Sequence, residues 1–208
     1  MKLLYLAVLK NDVTPVSPEL CVERDLSSYN YFQRATVAKF LTFFATEVVG
    51  PRTGPDVTKS ITMEDKDKEL DVMLHIHSRK EGICVISITD KVYPDRVALA
   101  LCRKVAEEFT YKFPRTAYES AKVGSPQLSY PELATYLEKY QNPEEADNIA
   151  KIQKELDQTT QVMREAMESL LERGEKIDNL VSKSDNLSQQ SKMFYTQAKK
   201  QNSCCTVM

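Results

Sequence analysis

The residues best equipped for chemistry lie in the stretch NSCCTVM, where Cys204 and Cys205 are neighbours. Two adjacent thiols could form a disulfide, hold a metal or carry a lipid. Cys205-Thr206-Val207-Met208 has the Cys-a-a-X form, in which the cysteine sulfur is alkylated by an isoprenoid, and Met in the last place favours farnesyl. Cleavage after Cys205 and methylation of the new carboxylate would then remove a charge from the membrane-facing end. A single lipid gives only marginal, reversible membrane binding, so a second anchor is expected. Lys199 and Lys200 make a thin basic patch. Cys204 is the better candidate, as an S-palmitoylation site or a second prenyl acceptor. Adjacent thiols lack the usual zinc spacing, and no His stands near them.

Compartment decides against the disulfide. No run approaches the roughly 18–20 apolar residues of a membrane-spanning helix. The opening MKLLYLAVLKND has a short apolar run and no small-residue cleavage site, so it reads as a buried strand rather than a signal peptide. Lys2 excludes N-myristoylation. The expectation is a cytosolic protein, where reducing conditions oppose stable disulfides. Cys21, Cys84 and Cys102 sit among apolar neighbours and read as small buried hydrophobes.

A second chemically pointed residue is Arg173. Stepping by alternating threes and fours from Ile149 gives Ile152, Leu156, Thr159, Met163, Ala166, Leu170, Arg173, Ile177, Leu180, Ser184, Leu187, Ser191, Phe194 and Ala198. Eleven of these fifteen positions are apolar, and the register never slips. Neighbouring positions are mostly charged or amide residues, so a lone helix could not bury this seam. Arg173 lies in its middle. A guanidinium offers five donors and no acceptor, so burial there requires partners that supply carboxylate or amide oxygens. The alternative is an Arg that snorkels outward from a loose coil. A homodimeric coil would juxtapose two Arg173 side chains without acceptors. Gly174 weakens the isolated helix by about 1 kcal/mol relative to Ala, which suits a helix formed by association.

Other chemistry finds little support. His75 and His77 lie on one face of an expected strand, without a carboxylate or Cys motif to complete a metal set. Neither a phosphate-binding Gly-x-x-x-x-Gly-Lys-Ser/Thr, a Gly-x-Ser-x-Gly nor a dinucleotide-binding glycine pattern is present. A formal net charge of −2 gives no hint of a nucleic-acid partner. The chain is expected to be neither an enzyme nor a cofactor binder.

Two halves position these residues. All nine prolines lie at or before Pro143, and only Gly174 of the five glycines follows Gly124. The first part, residues 1–140, reads as a folded domain. A linker follows at 141–148, then the heptad segment at 149–201 and the cysteine tail at 202–208. In the first part, KLLYLAVLK and SPELCVERDL read as paired strands. A helix runs from YFQR to Gly50-Pro51. Three more strands follow (DVTKSITME, ELDVMLHIHS, GICVISITD), then helices from Pro94-Asp95 and through YPELATYLEKY. Short turns between strands imply an antiparallel sheet, and apolar strands need helices on both faces, giving an α+β, α-β-α sandwich. On the first helix, Val37, Leu41, Phe44 and Val48 form a stripe for the sheet. Phe32, Phe40 and Phe43 widen it, either as deeper core or as an exposed aromatic groove for a partner segment.

The seam with its central Arg in ESLLERGEKIDNLVSKSDNL, followed by Phe194 in SKMFYTQAKK, resembles an R-SNARE motif. The β-β-α-β-β-β-α-α order ahead of it resembles a longin domain. YFQR, YQNPEEAD, ESLLERGEK and KQNSCC together resemble the Ykt-type prenylated longin-domain R-SNAREs of the synaptobrevin-like superfamily. The resemblance implies a profilin-like longin domain with a five-stranded antiparallel sheet, followed by one long SNARE coiled-coil helix. It implies that Arg173 is the ionic layer of a four-helix bundle, facing glutamines of Q-SNARE helices. Further implications are an intramolecular longin–SNARE contact, with Phe32, Phe40 and Phe43 as the groove, and handling by SNARE disassembly machinery. The function implied is vesicle docking and membrane fusion in ER–Golgi, endosomal or vacuolar transport, on the cytosolic face of those membranes. The alternative is a non-fusogenic, lipid-anchored coiled-coil adaptor or tether.

Overall fold

Every residue of β1, Leu3–Lys10, is buried, because this strand is covered on both faces. Tyr5, Ala7 and Leu9 point into one core, and Leu6 and Val8 into the other. That two-sided burial is why the strand reads as a continuous apolar run instead of alternating. The computed structural model describes residues 1–12, 15–63, 72–142, 163–193 and 195–196.

β2 (Glu19–Arg24), β3 (Thr58–Met63), β4 (Val72–Arg79) and β5 (Ile83–Asp90) complete the expected antiparallel sheet, in the order β2-β1-β5-β4-β3. Helix α1, Tyr31–Phe43, covers one face. α2 (Asp95–Lys112) and α3 (Glu132–Lys139) cover the other. A half-buried polar cluster ties α1 to the hairpin. Tyr5 donates to Glu19 at 2.8 Å, and Arg24 donates to both Glu19 and Thr42 at 2.8 Å.

Three expectations are corrected. The sheet has six strands, not five: β6, Arg164–Ala166, lies parallel to β3, pairing Ser60 with Arg164 and Thr62 with Ala166. The sixth strand comes from the heptad segment and satisfies the outer edge of β3, which would otherwise present unpaired backbone groups. Residues 163–193 are also not one long helix. They form β6, a 3-10 turn at Met167–Leu170, helix α4 at Ile177–Lys183, and a helical stretch at 189–193. A single polar helix would leave its apolar stripe in water, whereas a broken path lets the segment follow the folded domain. Finally, the first helix does not run regularly to Gly50. It widens into a π-helix at Phe44–Val49 and tightens into a 3-10 turn at Gly50–Arg52. Pro51 lacks the amide hydrogen that would continue the helix. Gly50 is needed for a close approach, since a Cβ there would lie 2.6 Å from Ser17 Oγ.

Cys21, Cys84 and Cys102 are buried free thiols, and burial pushes Cys21 and Cys102 up to about 12. His75 Nδ1 faces Ser60 Oγ and its Nε2 faces Thr89 Oγ1, each at 2.9 Å. His77 Nδ1 meets Thr58 Oγ1 at 2.8 Å. Burial holds His75 at about 4, against an opposing pull from Asp95.

His75 is therefore neutral when folded and takes a proton near pH 6.5 when unfolded. Its contribution is fully present above pH 6.5 and is lost as pH falls towards 4. Urea unfolding is expected to show about 2 kcal/mol less stability from this group at pH 5 than at pH 7. His75→Gln is expected to remove only this part of the dependence, since burial also holds His77 at about 4, and it lowers stability at both pH values.

Candidate functional site

The site is the face of α1 and the segment docked on it. Met167, Val181 and Leu187 are buried in the same core as Tyr5, Phe40, Leu41 and Ile61. Leu170, Leu171, Ile177, Leu180 and Tyr195 pack around them, half-buried. Phe40 lies fully buried between Phe44 and Tyr195, with ring centroids 6.4 and 5.9 Å away.

The three phenylalanines expected to form one groove have separate fates. Phe40 meets the docked segment. Phe43 is a core residue, 5.2 Å from the Phe44 ring. Phe32 is 86 % exposed and packs edge-on against Tyr31. The i, i+4 spacing sends Phe40 and Phe44 to the same side, but Phe32 falls in the first turn, beyond the edge of the covered face.

The heptad seam is only partly the docked face. Leu187 is buried and Leu170, Ile177 and Leu180 are half-buried, while Met163, Ala166 and Arg173 are exposed. Ile149, Ile152, Leu156, Phe194, Ala198, Cys204 and Cys205 lie outside the described residues. Met167, Leu171, Val181 and Tyr195 were not picked out by the seam, yet each immediately follows a seam position: Ala166, Leu170, Leu180 and Phe194. That second apolar row was visible in the sequence as a widening of the stripe.

Polar contacts fix the register. Lys59 meets Glu165 at 2.8 Å, Asp95 meets Arg164 at 2.5 Å, and Arg52 meets Glu175 at 2.8 Å. Glu47 accepts from Ser184 at 2.8 Å and from Asn186 at 2.9 Å. The Lys59 ammonium holds the Glu165 carboxyl below its usual range. Between these anchors the chain reverses at Arg173-Gly174, where Gly174 has φ +90°. Among the described residues, the arrangement brings together apolar side chains of α1 and of the docked segment.

Residues 26–137 match the Longin family, described as a regulated-SNARE-like domain, and residues 148–206 match the Synaptobrevin family. These matches define the class as a SNARE protein with a longin domain. The chain is 45 % identical to "Synaptobrevin homolog ykt6" of Schizosaccharomyces pombe, with all of both chains covered. It is 44 % identical to "Synaptobrevin homolog YKT6" of Yarrowia lipolytica and 42 % identical to that of Saccharomyces cerevisiae, again over all of both chains. The chain belongs to the Ykt6 family of longin-domain R-SNAREs. It is a SNARE of vesicle transport and not an enzyme. Among the described residues, no helix is long and apolar enough to cross a membrane.

Gly174 holds the turn of the docked segment at φ +90°. At φ +90° an alanine is strained by about 1–2 kcal/mol, and in a continuous helix the same alanine gains about 1 kcal/mol. Both effects act against the docked form. Gly174→Ala is expected to raise the undocked population at least tenfold, read as faster hydrogen exchange at Val181 and Leu187. Unchanged exchange would mean that the turn does not control docking.

Proposed function

We propose that the docked chain is the resting, autoinhibited form of a fusion-driving R-SNARE. The observation that carries this reading is the burial of Met167, Val181 and Leu187 in the core of the longin domain. Docking keeps the segment from Q-SNARE helices. In the active form the heptad segment, residues 149–201, becomes one continuous helix in a four-helix bundle. Its seam supplies the layers, and Arg173 sits at the centre against glutamine side-chain oxygens. Successive burial of those layers draws two membranes together. Force passes through a prenyl group on Cys205 and a palmitoyl or second prenyl group on Cys204. The segment leaves while the longin domain stays folded, and disassembly machinery returns the chain to its resting form. The membranes served are those of ER–Golgi, endosomal or vacuolar transport.

Exposure of Arg173 in the docked form separates the two roles in an experiment. Arg173→Ala should leave the hydrodynamic radius of the free chain unchanged while lowering the stability of the bundle formed with glutamine-bearing SNARE helices. Val181→Glu should do the reverse, expanding the free chain and speeding bundle formation at least tenfold, measured as the rise in helicity. No helicity gain from the wild-type chain with any such set would overturn the fusion reading. Phe43→Glu is a poorer probe, because Phe43 belongs to the domain's own core.

Cys205→Ser should abolish membrane association in cell fractionation. Cys204→Ser should leave brief association but shorten residence. Normal residence of the Cys205 variant would remove the anchor assignment.

A further inference from the structure

We propose that the outer edge of β3, once β6 has left it, is a docking site for an extended segment of a partner protein. The recognised pattern is a basic residue, then an acidic residue, any residue, and a large apolar one. The inference rests on the release of the segment described under Proposed function.

β6 shows what the edge accepts. Ser60 N–H donates to Met163 O at 2.9 Å, and residues 164–166 continue in parallel register. Successive strand residues point to opposite faces, so Arg164 and Glu165 are read separately. Arg164 reaches Asp95 in the first turn of α2, and that aspartate is buried. Glu165 reaches Lys59 on the opposite face. Two residues further, Met167 fills the α1-side core and is almost completely buried. The backbone ladder gives affinity without sequence preference, while the two charges and the methionine position give selectivity.

In a four-helix bundle, Met163, Ala166 and Leu170 lie along a helical seam, a conformation incompatible with pairing to β3. The active form thus exposes an unpaired edge, a lysine and an aspartate of opposite sign on opposite faces, and an emptied apolar position. In the resting form the chain's own strand competes at a high effective concentration, so the partner is excluded. Longin engagement of such a partner is thereby made conditional on bundle formation.

The probe is a fluorescent peptide, MREAME, equivalent to residues 163–168, titrated into full-length chains. The expected result is at least tenfold tighter binding to the Val181→Glu chain than to wild type. The peptide carrying lysine in place of Glu165 should bind at least fivefold more weakly, and Lys59→Glu in the opened chain should recover it. Failure of Val181→Glu to expand counts against the resting-form reading instead. In that case the Arg164→Glu/Glu165→Lys chain, which strips β6 from its two anchors, supplies the open edge. Binding of MREAME to neither variant overturns the docking site. So does charge-independent binding. Concentration-dependent self-association that the peptide does not reverse would assign the edge to a second copy of the chain, and also overturns the proposal.

Discussion

An apolar stripe on an otherwise polar segment has to be covered by something, and most features of this structure answer that requirement. The segment has too little of its own to fold upon. It finds cover either on α1 or, in the proposed bundle, among other helices. The magnitudes indicate which contacts hold it. Each fully buried Val, Leu or Met contributes about 1.5–3 kcal/mol, whereas the half-buried ion pair Arg52–Glu175 contributes about 1 kcal/mol or less, its attraction being offset by desolvation. The apolar residues therefore supply the holding energy, and the charged ones select the register. Between this docked state and the proposed bundle, a few kcal/mol of differential binding is enough to decide which prevails.

The domain beneath has packing of its own that does not involve the docked segment. β1 is enclosed between two cores, and the tie among Tyr5, Glu19, Arg24 and Thr42 fixes α1 to the hairpin from below. The α2 and α3 face has its own aromatic cluster, in which Phe109 packs against Tyr118, Tyr130 and Phe113. That face is complete without the docked segment. Departure of the segment thus strips one side of α1 and one edge of the sheet, and leaves the other core intact.

Much of this was legible in advance. The strand and helix order followed from apolar runs and turn residues, and burial on both faces followed from the unbroken run in β1. The division expected at Pro143 lies outside the described residues, and Arg173, expected in a buried layer from its place in a mostly apolar ladder, is exposed here. What escaped was conformation that depends on tertiary partners. Heptad spacing speaks for the helix the segment forms with others, so β6 and the turn at Gly174 had no local signature beyond a poor helix former. The grouping of Phe32 with Phe40 and Phe43 failed because periodicity gives the direction of a side chain but not where its neighbours stop. Met167 and Val181 were overlooked because they sit one step off the seam, on a row that only the docked form uses.

Arg173 has a consequence for fidelity. In the docked chain its guanidinium is exposed at the turn before α4, so it bears no desolvation cost there. Entry into a bundle removes it from water, at a cost of several kcal/mol unless acceptors take the water's place. For the proposed bundle, the exposed turn is thus the reference state against which a partner set is compared, and a set without acceptors is disfavoured at the Arg173 layer.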